Sequence, residues 1–294
     1  MIHVVGLDSD RTIVHFIAHA RNFGVEITFI NLREVVDKGD WHIVIPDDGR
    51  SRLSISDRII PLDPNGSYYL RPIDLSSVQD DPRKAGKWRG LVAALNYWLE
   101  HIPGTVVNRP GIHSDNFCKP LHEATLGSFD FKVPLSFTSS NAHRLRAFAG
   151  AAPTIVKPVS GVLATSRLVT EDEFEHFDRR QGPVHLQRYI KGGDVRAHVV
   201  GDEVYAERID SSGIDYRKEH ASARYSQCEL PVELNRKVVA ATRSFGLTFM
   251  GWDFKVDSSG AYWCLEANPM PGYNFYDLRA GMRITKALIA ALGS

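Results

Sequence analysis

The stretch that decides the fold lies near the C-terminal end and reads GWDFKV at 251–256, DSSG at 257–260 and AYWCLEANP at 261–269. Two runs of bulky β-formers around a turn sequence predict a β-hairpin. Alternation along the second run predicts one face shared by Tyr262, Cys264, Glu266 and Asn268. Asp253 can point to that face from the partner strand. Two carboxylates and an amide oxygen suit Mg²⁺, so we predict a metal site at Asp253, Glu266 and Asn268; the alternative is an edge hairpin with solvated acids.

The composition is that of an ordinary globular protein with two or three subdomains. The chain has 294 residues, 43% hydrophobic and 24% charged, and its 35 basic and 35 acidic residues cancel. Such a balance favours neither a nucleic-acid partner nor a membrane surface. Its three cysteines lie far apart, without a C-x-x-C motif, which argues against a disulfide framework or a zinc site. No signal peptide or membrane span is evident, and we expect a cytoplasmic protein.

The N-terminal region predicts a parallel sheet. Residues 2–7 and 25–31 are strand patterns, and residues 12–23 between them have helical spacing. No G-x-G-x-x-G motif accompanies this β-α-β unit, so we predict no dinucleotide site there. A long helix is predicted at 83–101, and it begins with a basic, aromatic patch. We interpret this patch as a solvated helix end rather than as a docking site. The patch consists of Lys84, Lys87, Trp88 and Arg89.

Two sequence signals divide the chain. Pro110-Gly111 ends the first unit, and Gly192-Gly193 is a flexible joint and a candidate hinge. We therefore predict an N-terminal domain at 1–110, a central subdomain at 111–190 and a C-terminal subdomain at 191–294. The predicted fold class is α/β (α+β).

Candidate nucleotide-binding residues follow one another in a definite order. Lysines supply point charges for phosphates, arginines bind phosphate or carboxylate oxygens in bidentate fashion, and metal ligands hold the Mg²⁺ that bridges phosphates. A lone lysine at a strand end is usually a solvated charge, but the ordered set predicts a polyphosphate site split between two lobes. The set comprises Lys119, Lys157, residues 187–190, Asp194, Arg196, Arg208, Arg217, Asp253, Glu266 and Asn268.

From about residue 108 to its end, the chain resembles the ATP-grasp superfamily. The motifs that carry the resemblance are VKP at 156–158, LQRYIKGGDVR at 186–196, Asp253 and EANP at 266–269. VNRP at 107–110, Asn116-x-x-Lys119 and DYR at 215–217 resemble the branch of RimK-type glutamate ligases and graspetide (microviridin-like) ligases. The resemblance implies an ATP-grasp fold with an N-terminal β-α-β domain, a small lid and a C-terminal antiparallel sheet.

The resemblance also implies roles for individual residues. ATP and one or two Mg²⁺ ions are the expected cofactors. The expected phosphate contacts are Lys119 and Lys157. The expected adenine contacts are backbone groups of Gln187, Arg188, Tyr189 and Ile190, and the expected ribose contact is Asp194. The expected catalytic residues, towards the γ-phosphate and the substrate carboxylate, are Arg196 and Arg217. Asp253, Glu266 and Asn268 are the implied metal ligands. The loop at 160–166 has a single glycine, whereas the corresponding family loop is often glycine-rich.

By the same resemblance we expect an ATP-dependent carboxylate–amine ligase that forms an acyl phosphate on an amino acid or peptide. A peptide macrocyclase that makes side-chain esters or amides is an alternative, in which the basic patch at 84–89 would help to bind a leader peptide. A kinase or a nucleotide-binding module is another. The expected partners are small-molecule or peptide carboxylate and amine substrates, with a possible homodimer and neither nucleic acid nor membrane.

Overall fold

A computed structural model describes residues 1–111, 116–159, 166–175, 177–178, 180, 182–211, 213 and 223–293. These residues form a mixed α/β fold with four sheets. No helix among them combines the length and the apolar character that crossing a membrane requires.

The N-terminal region contains seven strands and three helices. They are β1 (Ile2–Gly6), α1 (Arg11–Asn22), β2 (Ile27–Asn31), α2 (Leu32–Lys38), β3 (Gly39–His42), β4 (Arg52–Ile55), β5 (Arg58–Pro61), β6 (Ser67–Leu70), α3 (Pro82–His101) and β7 (Thr105–Val107). Strands β2-β1-β6-β7 form a parallel sheet in that order, which confirms the predicted β-α-β opening. Strands β3-β4-β5 form a small antiparallel sheet.

The central region forms a second antiparallel sheet. Its elements are α4 (Lys119–Ser128), β8 (Ser136–Ser139), α5 (Ala142–Gly150), β9 (Thr154–Lys157), β10 (Arg167–Leu168) and β11 (Val184–Arg188). The strand order is β10-β9-β11-β8. A short 3₁₀ helix follows β10 at Glu171–Phe174.

The C-terminal region carries the largest sheet. Its elements are β12 (Gly193–Val200), β13 (Glu203–Asp210), β14 (Arg224–Cys228), α6 (Val232–Ser244), β15 (Phe249–Val256), β16 (Tyr262–Asn268), α7 (Asn274–Arg279) and α8 (Arg283–Ala291). The five strands are antiparallel in the order β14-β13-β12-β15-β16. The predicted hairpin is therefore β15–β16, at one edge of this sheet.

A β-bulge in the hairpin corrects the predicted alternation. Asp253 lies opposite Glu266, but the next residue, Phe254, lies opposite Cys264, which leaves Leu265 as an extra residue. Cys264 is fully buried in the core with Phe254. The prediction that Cys264 shares a face with Glu266 is wrong, because one extra residue exchanges the faces of a strand.

Two hydrophobic cores connect regions that are distant in sequence. One contains Phe16 of α1, Tyr69 of β6, Phe249 of β15 and Leu288 of α8. The other joins Phe131 of the central region to the C-terminal sheet. The N-terminal and central regions therefore both pack on C-terminal elements, and the domain boundaries at 110 and 190 stay a prediction.

The basic patch at the start of α3 is not a continuous surface. Trp88 is 1% exposed and belongs to the N-terminal core. Lys84 pairs with Asp37 at 2.7 Å, and Lys87 Nζ donates to the carbonyl of Gly39 over 2.6 Å. The aromatic side chain that a docking site would have used is therefore part of the interior.

Candidate active site

The hairpin β15–β16 forms the floor of the candidate site. Asp253 and Glu266 are direct cross-strand neighbours, and Asn268 follows two residues later along β16. Neighbours across a ladder and residues two apart on one strand share a face, so these three side chains lie on one face of the sheet. The amide oxygen of Asn268 also accepts the N–H of Met270 over 2.8 Å, which turns the chain away at the end of the strand.

Glu266 is contacted from the start of α4. Lys119 Nζ lies 3.1 Å from Glu266 Oε1, and Asn116 Nδ2 donates to the same oxygen over 2.6 Å. The two charged side chains are 16% and 18% exposed, so the pair is only partly shielded from solvent. The structure therefore brings a predicted phosphate-binding lysine to a predicted metal ligand.

Asp253 has its own cationic partner. Arg196 lies opposite Asp253 on β12, and its Nη1 donates to Asp253 Oδ2 over 2.5 Å. Gly251 on β15 makes room for this guanidinium, because a Cβ there would collide with Arg196 and with Pro271. The side chain of Arg196 is 8% exposed and reaches the site along the sheet surface.

His198 lies beside the same arginine and is fully buried. Burial and the neighbouring positive charge of Arg196 lower the pKa of His198 to about 3. The Nε2 atom of His198 is 3.4 Å from Arg196 Nε. A neutral imidazole can tolerate the guanidinium at this distance, whereas a charged one would repel it.

His122 connects the helix of Lys119 to the metal-ligand strand. Its Nε2 accepts the N–H of Ala267, the residue between Glu266 and Asn268, over 2.9 Å. Burial lowers the pKa of His122 to about 4, so the imidazole is neutral and can accept this bond. One side chain of α4 therefore fixes the backbone that carries two candidate ligands.

The predicted adenine segment at 187–190 is partly engaged by the protein itself. The N–H groups of Arg188 and Tyr189 donate to the carbonyls of Leu135 and Pro153, over 2.8 and 2.9 Å. The side chain of Gln187 is buried and donates to Glu123 over 2.5 Å. The N–H groups of Arg188 and Tyr189 are thus engaged within the protein, and the adenine contacts at 187–190 stay a prediction.

A buried carboxylate fixes this central sheet on α4. Glu123 Oε1 lies 3.0 Å from His185 Nε2, in addition to its bond from Gln187. Burial alone would raise the pKa of Glu123, but hydrogen bonding and charge from His185 outweigh it and lower the pKa. His185 lies opposite Lys157 on β9, which places that predicted phosphate ligand on the sheet that α4 supports.

Asp194, the predicted ribose contact, forms an ion pair that the sequence did not predict. Lys255 Nζ lies 2.8 Å from Asp194 Oδ2, and both side chains are less than 10% exposed, at 6% and 8%. The two residues lie opposite each other on β12 and β15. The sequence offers one signal for this ion pair. Lys255 follows Asp253 by two residues on β15, so strand alternation puts a lysine on the face that carries the acids.

The segment after Asn268 is held by the N-terminal region. Arg71 donates to the carbonyls of Met270 and Pro271 over 3.0 and 2.8 Å, and its Nε donates to Asp10 over 2.7 Å. Asn108 donates to the carbonyls of Phe249 and Pro269 over 2.6 and 2.7 Å. Its own amide oxygen accepts the Phe249 N–H over 2.9 Å. Apart from the Arg71–Asp10 pair, these contacts join residues more than 140 positions apart.

Two predictions concern residues that the structure leaves undescribed. Arg217, with the rest of the motif at 215–217, lies outside the described residues, as does the loop at 160–165. The residues that the structure brings together are Lys119, Arg196, Asp253, Glu266 and Asn268. Asp194 lies on β12, whereas Lys157 lies on β9 of the central sheet, and the segment at 187–190 begins at the end of β11 and continues beyond it.

The three predicted ligands suit a magnesium ion that also binds water and substrate phosphates. Within the described ranges, no group of three or more His, Cys, Asp and Glu side chains is suited to a metal. The candidate set has two carboxylates and one amide oxygen. Mg²⁺ is usually held in proteins by one or two carboxylates, with waters and substrate phosphates completing six oxygens. The protein therefore need not supply all six ligands, and Asp253, Glu266 and Asn268 would be the protein ligands.

Comparison with known proteins finds both similar folds and related sequences. No protein-family profile matches the chain. A structure of the ATP-grasp ligase PsnB with minimal precursor, Mg and ADP superimposes with a TM-score of 0.79 at 26% identity, over 99% of this chain and 97% of PsnB. The chain belongs to the ATP-grasp superfamily. The ATP-grasp fold that the sequence predicted is thus confirmed.

Two other similar proteins represent both branches named by the sequence resemblance. A RiPP-associated ATP-grasp ligase of Chryseobacterium gregarium, solved with ADP and leader and core peptide, has a TM-score of 0.82 at 19% identity, over 99% of this chain and 96% of its own. A probable alpha-L-glutamate ligase of a Shewanella species is 30% identical over 152 residues, 48% of this chain. That match covers 50% of the glutamate ligase, so the ATP-grasp chain spans about half the length of the curated relatives it matches.

Proposed function

We propose that the chain is an ATP-dependent carboxylate–amine ligase that works through an acyl phosphate. The observation that carries the proposal is a square of charges formed by three adjacent strands and the start of α4. Lys119 pairs with Glu266, Arg196 pairs with Asp253, and the two acids are cross-strand neighbours. Such a square has two cations for phosphate oxygens and two anions for a divalent metal. Similarity to ligases of both branches supports the same class of reaction.

The pairing pattern is suited to a nucleotide that arrives with its metal. Each acid of the square is paired with a basic side chain. Mg²⁺ held by the same acids would supply the positive charge in their place, and Lys119 and Arg196 would then be available to phosphate oxygens. Asp253, Glu266 and Asn268 would hold one or two ions. Such an exchange would leave no charged side chain of the square unpaired.

The first step is phosphoryl transfer to a substrate carboxylate. A carboxylate oxygen attacks the γ-phosphorus in line, the new O–P bond forms, the bond to the bridging oxygen breaks, and ADP leaves. Arg196, placed next to Asp253, is the arginine suited to the equatorial oxygens, where negative charge is spread in the transition state. Lys119 at the start of α4 would contact the phosphates on the same face, from the side of β16.

The second step forms the product. An amine nitrogen attacks the acyl carbon, the new C–N bond forms, the C–O bond to phosphate breaks, and inorganic phosphate leaves while the amine loses a proton. This chemistry needs no covalent enzyme intermediate. It does require that water be excluded, because acyl phosphates hydrolyse. The joint at Lys191-Gly192-Gly193, between the central and C-terminal sheets, is the proposed hinge for closure.

The direct test is ADP formation from ATP and Mg²⁺ in the presence of amino acids and peptides, with mass spectrometry of the products. The expected result is ADP and phosphate in equal amounts, with phosphate release dependent on an added amine. A phosphorylated product that accumulates with or without amine would instead identify a kinase.

A peptide macrocyclase is the second candidate. PsnB was solved with a minimal precursor and the Chryseobacterium ligase with leader and core peptide, and each structure covers 99% of this chain. Side-chain carboxylates of a peptide would then be phosphorylated by the same residues, and the nucleophile would be a hydroxyl or amine of the same peptide. Mass spectrometry distinguishes the two candidates. Cyclisation lowers the mass of the peptide by one water, whereas ligation gives a product with the combined mass of two substrates less one water. We further propose a homodimer and a cytoplasmic location, which remain to be measured.

A further inference from the structure

The guanidinium group of Arg196 lies in a narrow space over β15. A Cβ at Gly251 would collide with Arg196 Nη2 and with the side chain of Pro271, so both groups lie over this glycine. Asp253, two residues further along β15, accepts from Arg196 Nη1 over 2.5 Å. Gly251 and Asp253 therefore place the two terminal nitrogens of the guanidinium, whereas His198 lies next to its Nε.

His198 is held between Arg196 and the loop that follows the metal-ligand strand. It lies opposite Gly251 in the sheet and two residues from Arg196 on β12, so both side chains occupy one face. Its Nε2 is 3.4 Å from Arg196 Nε and 3.3 Å from the carbonyl oxygen of Gly272. The side chain is fully buried, and its ring centre lies 4.8 Å from that of Tyr276. This packing fixes the imidazole at the back of the guanidinium.

The two neighbours of Nε2 make opposite demands on the ring. The Nε–H of Arg196 requires a lone pair, whereas the carbonyl of Gly272 requires an N–H. Burial and the charge of Arg196 lower the pKa of His198 to about 3, so the ring is neutral and has one protonated nitrogen. Nε2 can therefore satisfy only one of the two neighbours. The other ring nitrogen, Nδ1, is buried and has no hydrogen-bond partner.

Charge decides between the two neighbours. A hydrogen bond from a charged donor is about twice as strong as one between neutral groups, which favours the bond from Arg196 over the bond to Gly272. A hydrogen on Nε2 would also point towards a cation. The favoured ring therefore has its proton on Nδ1, where the N–H is buried and unpaired. A purely structural histidine would avoid that cost by donating to Gly272.

We propose that His198 is a positioning residue for Arg196, which carries its proton on Nδ1 and accepts the Nε–H of the guanidinium at Nε2. This inference rests on the ligase function proposed above. With Nε held, the guanidinium can turn so that Nη1 exchanges Asp253 for a phosphate oxygen while the side chain stays in place. A rigid donor costs less reorganisation when charge develops on the transferring phosphoryl group.

Nitrogen NMR locates the proton directly and does not depend on turnover. In the full chain with ¹⁵N-labelled histidine side chains, the signals of His198 are those that disappear in His198→Phe. At pH 7 the expected spectrum shows a protonated Nδ1 and an unprotonated Nε2. A proton on Nε2 would assign the ring to the carbonyl of Gly272 and would overturn the proposal, as would a doubly protonated ring.

Turnover measures what the bond does for Arg196. His198→Phe fills the space without an acceptor, so kcat for ADP formation is expected to fall about tenfold. The KM for ATP should not change, because Arg196 acts on the transition state. His198→Gln keeps an acceptor oxygen and should restore most of kcat. In Arg196→Lys, which has no N–H group at the Nε position, adding His198→Phe should reduce the residual kcat no further.

The controls separate positioning from folding and from the proposed reaction. His143→Phe, on an exposed side chain of α5, should turn over normally, and His198→Phe should keep the thermal transition of the unmodified chain. An unchanged kcat in His198→Phe, or an equal loss with Arg196 and with lysine at that position, would overturn the positioning role. If the unmodified chain forms no ADP, then the ligase function fails, and the NMR spectrum still decides the role of His198.

Discussion

His122 Nε2 accepts the backbone N–H of Ala267 over 2.9 Å, and this bond ties the helix of Lys119 to the strand of Glu266. Both partners are buried, so water cannot replace the bond if it is lost. The consequence is that a residue outside the predicted charge set controls where two candidate metal ligands lie.

Replacement of His122 should therefore act on the metal rather than on the amine substrate. His122→Phe fills the space but offers no acceptor, and it is expected to raise the Mg²⁺ concentration for half-maximal ADP formation by about tenfold. His122→Gln keeps an acceptor oxygen and should retain most of the Mg²⁺ affinity. Titration of ADP formation with Mg²⁺ measures both. Equal behaviour of the two variants would show that the bond does not position the ligands.

Stability should fall in acid partly through the same side chain. The pKa of His122 is lowered from 6.5 to about 4 by burial, so between these pH values the unfolded chain binds a proton that the folded chain does not. The free energy of unfolding therefore decreases as the pH falls through this window, by about 3 kcal/mol in total for a shift of this size. Denaturant titrations at pH 7, 5.5 and 4.5 measure the loss. His122→Gln should show a smaller decrease over the same window, and an identical decrease would contradict the assignment.

Loss of Glu266 should abolish ADP formation while leaving the protein folded. Glu266→Ala removes one of two carboxylates of the metal set and leaves Lys119 without its partner. The side chain is only partly buried, so the fold should tolerate the change. Glu233→Ala, on an exposed side chain of α6, is the matched control and should turn over normally. Normal turnover by Glu266→Ala would remove Glu266 from the metal site.

The space beside Gly251 leads to a further prediction. A methyl group at this position would collide with the guanidinium of Arg196 and displace it from Asp253. A displacement of about 1 Å at a transferring phosphoryl group can cost about a hundredfold in rate, so Gly251→Ala should reduce kcat for ADP formation by that order. Gly150→Ala, where an added Cβ meets no atom within 4 Å, is the control. Pre-steady-state measurement of ADP release would locate the loss in the chemical step, and an unaffected kcat would show that Arg196 can act from another position.

Local motifs predicted the fold and which charged residues come together, but not the contacts that hold them. Asp253, Glu266 and Lys119 could be found because strand alternation and family spacing depend on neighbouring residues. The bulge at Leu265 could not, because the alternation of Cys264 and Glu266 looks regular in sequence. Pairings such as Arg71 with Pro271 depend on how two distant regions pack, and single residues carry no signal of it. The only hint of such contacts in the sequence is a charged residue or a histidine within an otherwise apolar strand, as with Lys255 in β15.

The packing of α1 against the C-terminal helices depends on one buried carboxylate. Asp277 is fully buried, lies 2.8 Å from His15 Nε2, and accepts the N–H groups of Ile284 and Thr285 over 2.8 and 3.1 Å. Burial alone would raise the pKa of Asp277, but hydrogen bonds from His15 and Thr285 outweigh it and lower the pKa. The carboxylate thus caps α8 and binds α1 at the same time.

Asp277→Ala should accordingly lower the free energy of unfolding by about 3 kcal/mol, because it leaves buried donors without an acceptor and removes the cap of α8. Guanidine denaturation measures the change. Asp202→Ala, which breaks an exposed ion pair with Arg243, should have almost no effect. Because Tyr273 and the segment after Asn268 pack beside His15, the variant should also weaken Mg²⁺-dependent turnover. If the unfolding free energy falls while the Mg²⁺ dependence is unchanged, then the helices stabilise the fold without positioning the hairpin.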